Sequence, residues 1–329
     1  MTRKSASRTA ISRRTAIAVS VAAPFVVTSR AFAADKLRIA KSVSTSFPFC
    51  GADLGLAKGM FASEGIEAEV SVFRGDGQMQ QAFAAGAIDV GLGSGPGMGY
   101  AAKGVPAIAV AALASEPRNM SLVVMKDSPI KSVDDLKGKR IGVTTAGSLT
   151  DWLTRKLSDS KGWGSAGIEV VPMGEMRTRL AAMKSGDLAG SVNSIQETWN
   201  LVEQGQGRLL TTFADAVPNF HTHVIYASRP LVDKNPELVR RFLRGWFKTA
   251  HYMRDNRADT VKFIAATMKI SEKVIDESYD YELKMLSMDG AFNPKAIETI
   301  RYSLKDLGIL DRIPEAKELF MPGFAPVKV

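Results

Sequence analysis

The sequence predicts an α/β protein built as two similar lobes joined by two crossing strands. Three observations lead there. Short β-rich runs alternate with helical patterns from residue 37 onward, the signature of a mostly parallel sheet with helices on both faces. That alternation occurs twice along the chain, and two further β-rich runs bracket its second round.

In the first round, strands are expected over 37–40, 67–73, 88–92 and 108–113, with helical spacing over 50–63, 78–85 and 98–103. The second round has strands over 140–143, 169–171 and 188–192 and helices over 149–161, 176–184 and 195–203. The rounds echo each other. Arg38-Ile39-Ala40-Lys41-Ser42 and Arg140-Ile141-Gly142-Val143-Thr144 both lead through a hydroxyl-rich turn into a helix. Ala84-Ala85-Gly86-Ala87-Ile88 and Met183-Lys184-Ser185-Gly186-Asp187-Leu188 both end a helix at a glycine suited to the left-handed C′ position and then resume as strand.

The bracketing strands, 121–125 and 223–227, are expected to cross between the lobes. Lobe 1 then comprises 34–125 plus part of 228–329, and lobe 2 comprises 126–227. Two crossings make a hinge, and the cleft beside a hinge is where closure encloses a ligand. The remainder, 230–329, reads as helices packing on the lobes. Leu238, Phe242, Trp246 and Ala250, with Leu243, Phe247 and Met253, form an apolar stripe, and Arg240, Arg241, Arg244 and Lys248 form the opposite, solvated face. Two more helices are expected over 276–288 and 294–307, the latter opening on Pro294.

Residues 1–33 read as a cleavable export signal: a basic start, a short apolar run over 15–28 interrupted by Pro24, and Ala31-Phe32-Ala33 before Ala34. Ser12-Arg13-Arg14-Thr15-Ala16-Ile17 resembles the twin-arginine export motif, though Ala16 stands where a large residue is usual; a general secretory signal is the alternative. This segment holds six of the 43 Lys and Arg and none of the 34 Asp and Glu, so the net charge after it falls from +9 to +3. The basic excess is largely the address label, and no basic-aromatic stripe remains to follow a nucleic-acid backbone. Cys50 is the one cysteine, so no internal disulfide forms and stability rests on the core; its thiol reads as a small buried filler.

Four strand-to-helix turns collect small polar residues beyond the carboxyl ends of strands, where open α/β sheets bind ligands. They contain Ser44 and Thr45; Ser94; Thr144, Thr145 and Ser148; and Asn193. Their hydroxyls and the N–H groups of the following helical turn suit an anion, or serve only as helix caps. Phe47, Phe49 and Trp152 either pack on an organic tail or belong to the core. His221 and His223 share a strand face; without acidic or thiol companions they do not make a metal site, and either one of them, with His221 named as the site candidate, touches a ligand near the hinge or both are hydrogen-bonded structural histidines. The glycine-rich run 91–97 lacks dinucleotide spacing and is expected to be a loop along which a ligand approaches. No nucleophile elbow, phosphate loop or zinc-protease motif occurs.

Four segments carry a family resemblance: Ala57-Lys58-Gly59-Met60-Phe61 with Glu64-Gly65-Ile66, the run from Gln80 to Asp89, Lys103-Gly104-Val105-Pro106, and the run from Asp135 to Val143. Through them the chain resembles the periplasmic substrate-binding proteins of nitrate, taurine and alkanesulfonate uptake, a group related to thiamine-pyrimidine synthases. The resemblance implies the type II periplasmic binding protein fold and delivery of a solute to an ATP-driven (ABC) permease in the inner membrane. It implies a small organic anion of the sulfonate, taurine or nitrate class as ligand, contacted by Ser44, Thr45, Ser94 and the turn from Thr145 to Ser148. The expected protein is thus a monomeric periplasmic binding protein, cleaved after Ala33, with no cofactor, no metal and no enzymatic activity. A pyrimidine-precursor binder or synthase-like enzyme on the same fold is the alternative; Phe49-Cys50-Gly51 offers one cysteine where those synthases are cysteine-rich. A signalling sensor domain is a third possibility.

Overall fold

A computed structural model describes residues 1–2, 34–213, 217 and 219–329. The export signal expected over 1–33 lies outside the described residues but for Met1 and Thr2. Residues 34–329 form one compact unit.

The first sheet takes β1 (Asp35–Lys41), β2 (Ile66–Val72), β3 (Val90–Ser94) and β4 (Ala107–Ala114), interleaved with α1 (Cys50–Ala57), α2 (Asp76–Ala84) and α3 (Met98–Ala102). The second takes β5 (Met120–Met125), β6 (Arg140–Val143), β7 (Glu169–Pro172), β8 (Gly190–Ser194) and β9 (Gly207–Thr212), with α4 (Leu149–Ser160), α5 (Met176–Ser185) and α6 (Ile195–Glu203). The chain then returns to the first lobe through β10 (His223–Ser228). It ends in α7 (Arg229–Lys234), α8 (Pro236–Asp255), α9 (Arg257–Met268), α10 (Glu272–Met285), α11 (Pro294–Asp306) and α12 (Ala316–Leu319).

The two sheets have matching orders, β2-β1-β3-β10-β4 and β7-β6-β8-β5-β9. In each, three parallel strands are followed by one antiparallel strand; in the first sheet this is β10, which returns after the second lobe, and in the second it is β5, the first strand of that lobe. The repeat read in the sequence is therefore an architectural repeat. The expected crossings are present but lie one segment away from where they were placed. Residues 121–125 sit wholly inside the second sheet and 223–227 wholly inside the first, because each pairs on both edges there. The chain crosses between β4 and β5 and returns between β9 and β10. These connections run side by side: Thr222 N–H donates to Ser115 C=O at 2.9 Å, and Phe213 N–H donates to Met120 C=O at 2.9 Å. The lobe boundaries drawn at 125 and 227 move back accordingly.

Gly86 and Gly186, the paired helix ends of the echo, both take left-handed backbone, φ +66° and +87°, which lets the strand turn back within a few residues. The apolar stripe of α8 is buried against α1 and the first sheet. Its basic side is partly committed: Glu64 takes Arg244 at 2.9 Å and Lys248 at 2.6 Å, and Arg241 pairs with Asp35. Among the described residues no helix is long and apolar enough to cross a membrane.

Candidate functional site

The carboxyl ends of both sheets face one narrow cavity of about 50 Å³. Lobe 1 lines it with Thr45, Ser46, Phe49, Asp76, Ser94 and His223; lobe 2 lines it with Thr144, Glu175, Arg179, Asn193 and Glu197; Asn119 enters from the crossing.

The walls are tied together. Thr45 Oγ1 donates to Glu197 Oε1 at 2.5 Å, and Ser44 Oγ donates to Glu175 Oε2 at 3.2 Å. Further out along the cleft, Gly77 N–H donates to Thr145 Oγ1 at 2.9 Å, and the Tyr100 hydroxyl donates to Ala146 C=O. Burial pushes the Glu197 carboxyl up, against the pull of Arg179 and the Thr45 hydroxyl. It pushes Asp76 up as well, although Ser94 N–H donates to Asp76 Oδ1 at 2.9 Å. Burial lowers Arg179, offset by Glu197 and Glu175. His223 is pulled down to about 3 by burial, so its ring is neutral at physiological pH.

Of the residues named from sequence, Thr45, Ser94, Thr144 and Asn193 line the cavity, and Ser44 stands beside it through Glu175. The others do different work. Phe47 is core, edge-on to Tyr279 at 5.8 Å. Trp152 is core too, stacked on Phe220 at 4.4 Å with its Nε1–H donating to Ser303 Oγ at 2.7 Å. Thr145 is spent on Gly77. Ser148 accepts from Asp151 N–H as the cap of α4 and bonds Thr144 and Thr150. The anion expected at this helix start meets a competitor already there: Asp151 Oδ2 accepts from Gly147 N–H at 2.7 Å. His221 turns away from the cleft, its Nε2 accepting from Asn293 N–H at 3.0 Å; the imidazole that lines the cavity is His223, whose ring is tilted 58° to that of Phe49 with centroids 4.6 Å apart.

The glycine run does not serve ligand approach either. A Cβ on Gly91 would meet Phe83, one on Gly93 would meet Asp76 and Met79, and one on Gly95 would lie 1.9 Å from His221 C=O. The run is glycine because the protein's own groups close on it. Cys50 is fully buried, with its thiol pushed up to about 12, which keeps it protonated and poorly nucleophilic.

Sequence reading missed Asp76, Asn119, Glu175, Arg179 and Glu197. The three acids stand at helix starts, where a carboxylate is ordinarily explained by the helix dipole. Ser194-Ile195-Gln196-Glu197 has capping-box spacing, yet Ser194 caps Glu197 N–H at 3.4 Å while the Glu197 side chain turns across the cleft to Thr45. Glu175 precedes α5 without capping it and accepts from Ser44 instead.

Residues 48–260 match the sequence model described as NMT1/THI5 like. The chain belongs to the NMT1/THI5-like family. Among relatives of this family member, a Brucella abortus protein provisionally named as a binding protein is 28% identical over 247 residues, 72% of this chain and 75% of its own. An Escherichia coli protein provisionally named as an aliphatic sulfonates-binding protein is 25% identical over 210 residues, 62% and 63% of the two chains. The fold is shared with the alkanesulfonate-binding protein SsuA of Xanthomonas axonopodis pv. citri bound to MOPS, at TM-score 0.72 and 18% identity over 85% of this chain and 95% of that one. The desulfurization enzyme DszB also shares it, at TM-score 0.60 and 17% identity over 88% and 97%. The type II binding protein fold is thus common to this family member, to binding proteins and to an enzyme.

Proposed function

We propose that this protein is the exported solute-binding component of an ABC importer, which closes its two lobes on a small organic solute and delivers it to an inner-membrane permease. The observation that carries the proposal is the cavity at the carboxyl ends of both sheets, bridged by Thr45–Glu197 and Ser44–Glu175. Such bonds form only when the lobes are together, so a solute that contacts both lobes shifts the population toward the closed form. Periplasmic location with cleavage after Ala33, and a monomeric state, belong to this reading. The acidic solute class expected from sequence, sulfonate-, taurine- or nitrate-like, has one counter-ion in the cavity, Arg179.

The binding reading is favoured over a synthase-like or desulfurising activity because the one cysteine is buried and protonated. The test is to isolate the exported protein, identify the co-purifying solute by mass spectrometry, and compare small-angle scattering with and without it. An intact solute and a smaller radius of gyration are expected. A chemically converted solute, or an unchanged radius at saturation, overturns the reading.

A further inference from the structure

The cavity holds more negative than positive groups. Asp76, Glu175 and Glu197 line it, against the single guanidinium of Arg179 and a neutral His223. Arg179 is tied to its own lobe through one nitrogen: Nη1 donates to Ser191 Oγ at 2.9 Å, Val192 C=O at 2.5 Å and Asn193 Oδ1 at 2.7 Å. The hydroxyls that would have met an anion, on Ser44 and Thr45, are donated to the two glutamates instead.

A second observation is independent of this charge count. Three buried polar atoms of cavity-lining residues have no hydrogen-bond partner among the described residues: Asn119 Oδ1, Arg179 Nε and His223 Nδ1. Buried polar atoms are nearly always paired, so such a cluster at one cavity marks a place for a polar ligand. Asn119 Oδ1 only accepts, like the three carboxylates, and Arg179 Nε only donates, which suits a solute that brings both a donor group and an acceptor group.

Resting on the cleft-binding reading above, we propose that the solute inserts a positively charged nitrogen group, of ammonium or amidinium type, between Glu197 and Glu175, and that nitrogen-free anions are rejected. Any acidic group on the same solute is left to Arg179. Burial raises Glu197 and Asp76, and a nearby cation opposes that direction in both.

The test is calorimetry on the mature chain with matched probes: acetamidine against acetamide, 4-aminobutyrate against butyrate, and 2-aminoethanesulfonate against ethanesulfonate. The charged-nitrogen member is expected to bind at least about tenfold more tightly, the scale of one charge-assisted hydrogen bond. Glu197→Gln and, independently, Glu175→Gln should each erase most of that preference; Glu175, the more exposed, serves if the first variant does not fold. Equal or tighter binding of a nitrogen-free member, or no binding by any charged-nitrogen probe, overturns the proposal. Closure around a nitrogen-free anion would sink this inference while leaving the binding function standing. Conversion of a bound amine would do the reverse.

Discussion

Thr45 and Glu197 connect the two lobes directly, hydroxyl to carboxylate at 2.5 Å, although 152 positions separate them in the chain. Glu197 is buried, so its carboxylate has little water to fall back on if the hydroxyl is lost. Thr45→Val keeps the shape of the side chain and removes the donor. The closed form should lose roughly tenfold to a hundredfold in population relative to the open one, the equivalent of about 1.5–3 kcal/mol for a bond to a charged group. Small-angle scattering reads this as a larger radius of gyration than the parent's; equal radii would mean that the bond does not hold the lobes together.

Glu282 on α10 is fully buried and accepts from Asn119 Nδ2 at 2.9 Å and from Gln196 Nε2 at 2.6 Å, so one carboxyl group ties the crossing, α6 and α10 together. Burial raises it from 4.5 to about 7 against those donors. The folded chain therefore holds a proton that the unfolded chain releases between about pH 4.5 and 7, and this group's contribution to stability falls as pH rises through that window. The slope is at most about 1.4 kcal/mol per pH unit. Urea unfolding at pH 5 and pH 7.5 should show this loss in the parent and not in Glu282→Gln. Parallel pH profiles for the two proteins would refute it.

Gly95→Ala places a Cβ 1.9 Å from the carbonyl oxygen of His221 and 2.9 Å from Ile300. Backbone cannot swing aside as a side chain does, so β3 and the returning crossing must separate. A loss near the upper end of the overpacking range, roughly 3 kcal/mol, is expected in the urea midpoint. A change within about 0.5 kcal/mol would show that the crossing yields easily.

Cys50 lies in the core with its thiol pushed up to about 12. A thiol reagent at neutral pH should label the folded protein negligibly and label it fully in denaturant. Rapid labelling of the folded form would reopen the enzyme reading.

Processing gives a further check. N-terminal analysis of the exported protein should find Ala34 at the start; recovery of chains that retain Met1 would count against cleavage after Ala33.

Much of the fold was legible because it is written in local patterns. The helix expected over 195–203 and the strand expected over 140–143 coincide with α6 and β6, and the paired glycines 86 and 186 mark matching helix ends. β9 was not legible: it pairs with β5 alone at the sheet edge, and most of its side chains are only half-buried, so the alternation that betrays a strand is weak. The site was half legible. The hydroxyl-bearing turns do stand at the cleft, but sequence shows a donor without showing its acceptor. That Ser44 meets Glu175, or that Asp151 fills the helix start at Gly147, depends on contacts no short window contains.

The return of β10 to the first sheet also sets an order of assembly. β10 is an interior strand of the first sheet, flanked by β3 and β4, yet it is synthesised after the whole second lobe. Until it arrives, β3 and β4 each expose an edge, and no N-terminal fragment that ends before His223 has a finished first sheet, although the second sheet is complete at Thr212. The first lobe matures last although it is made first, so its sheet edges stay open to proteases and chaperones while the second lobe is made, and its commitment to the native state comes late.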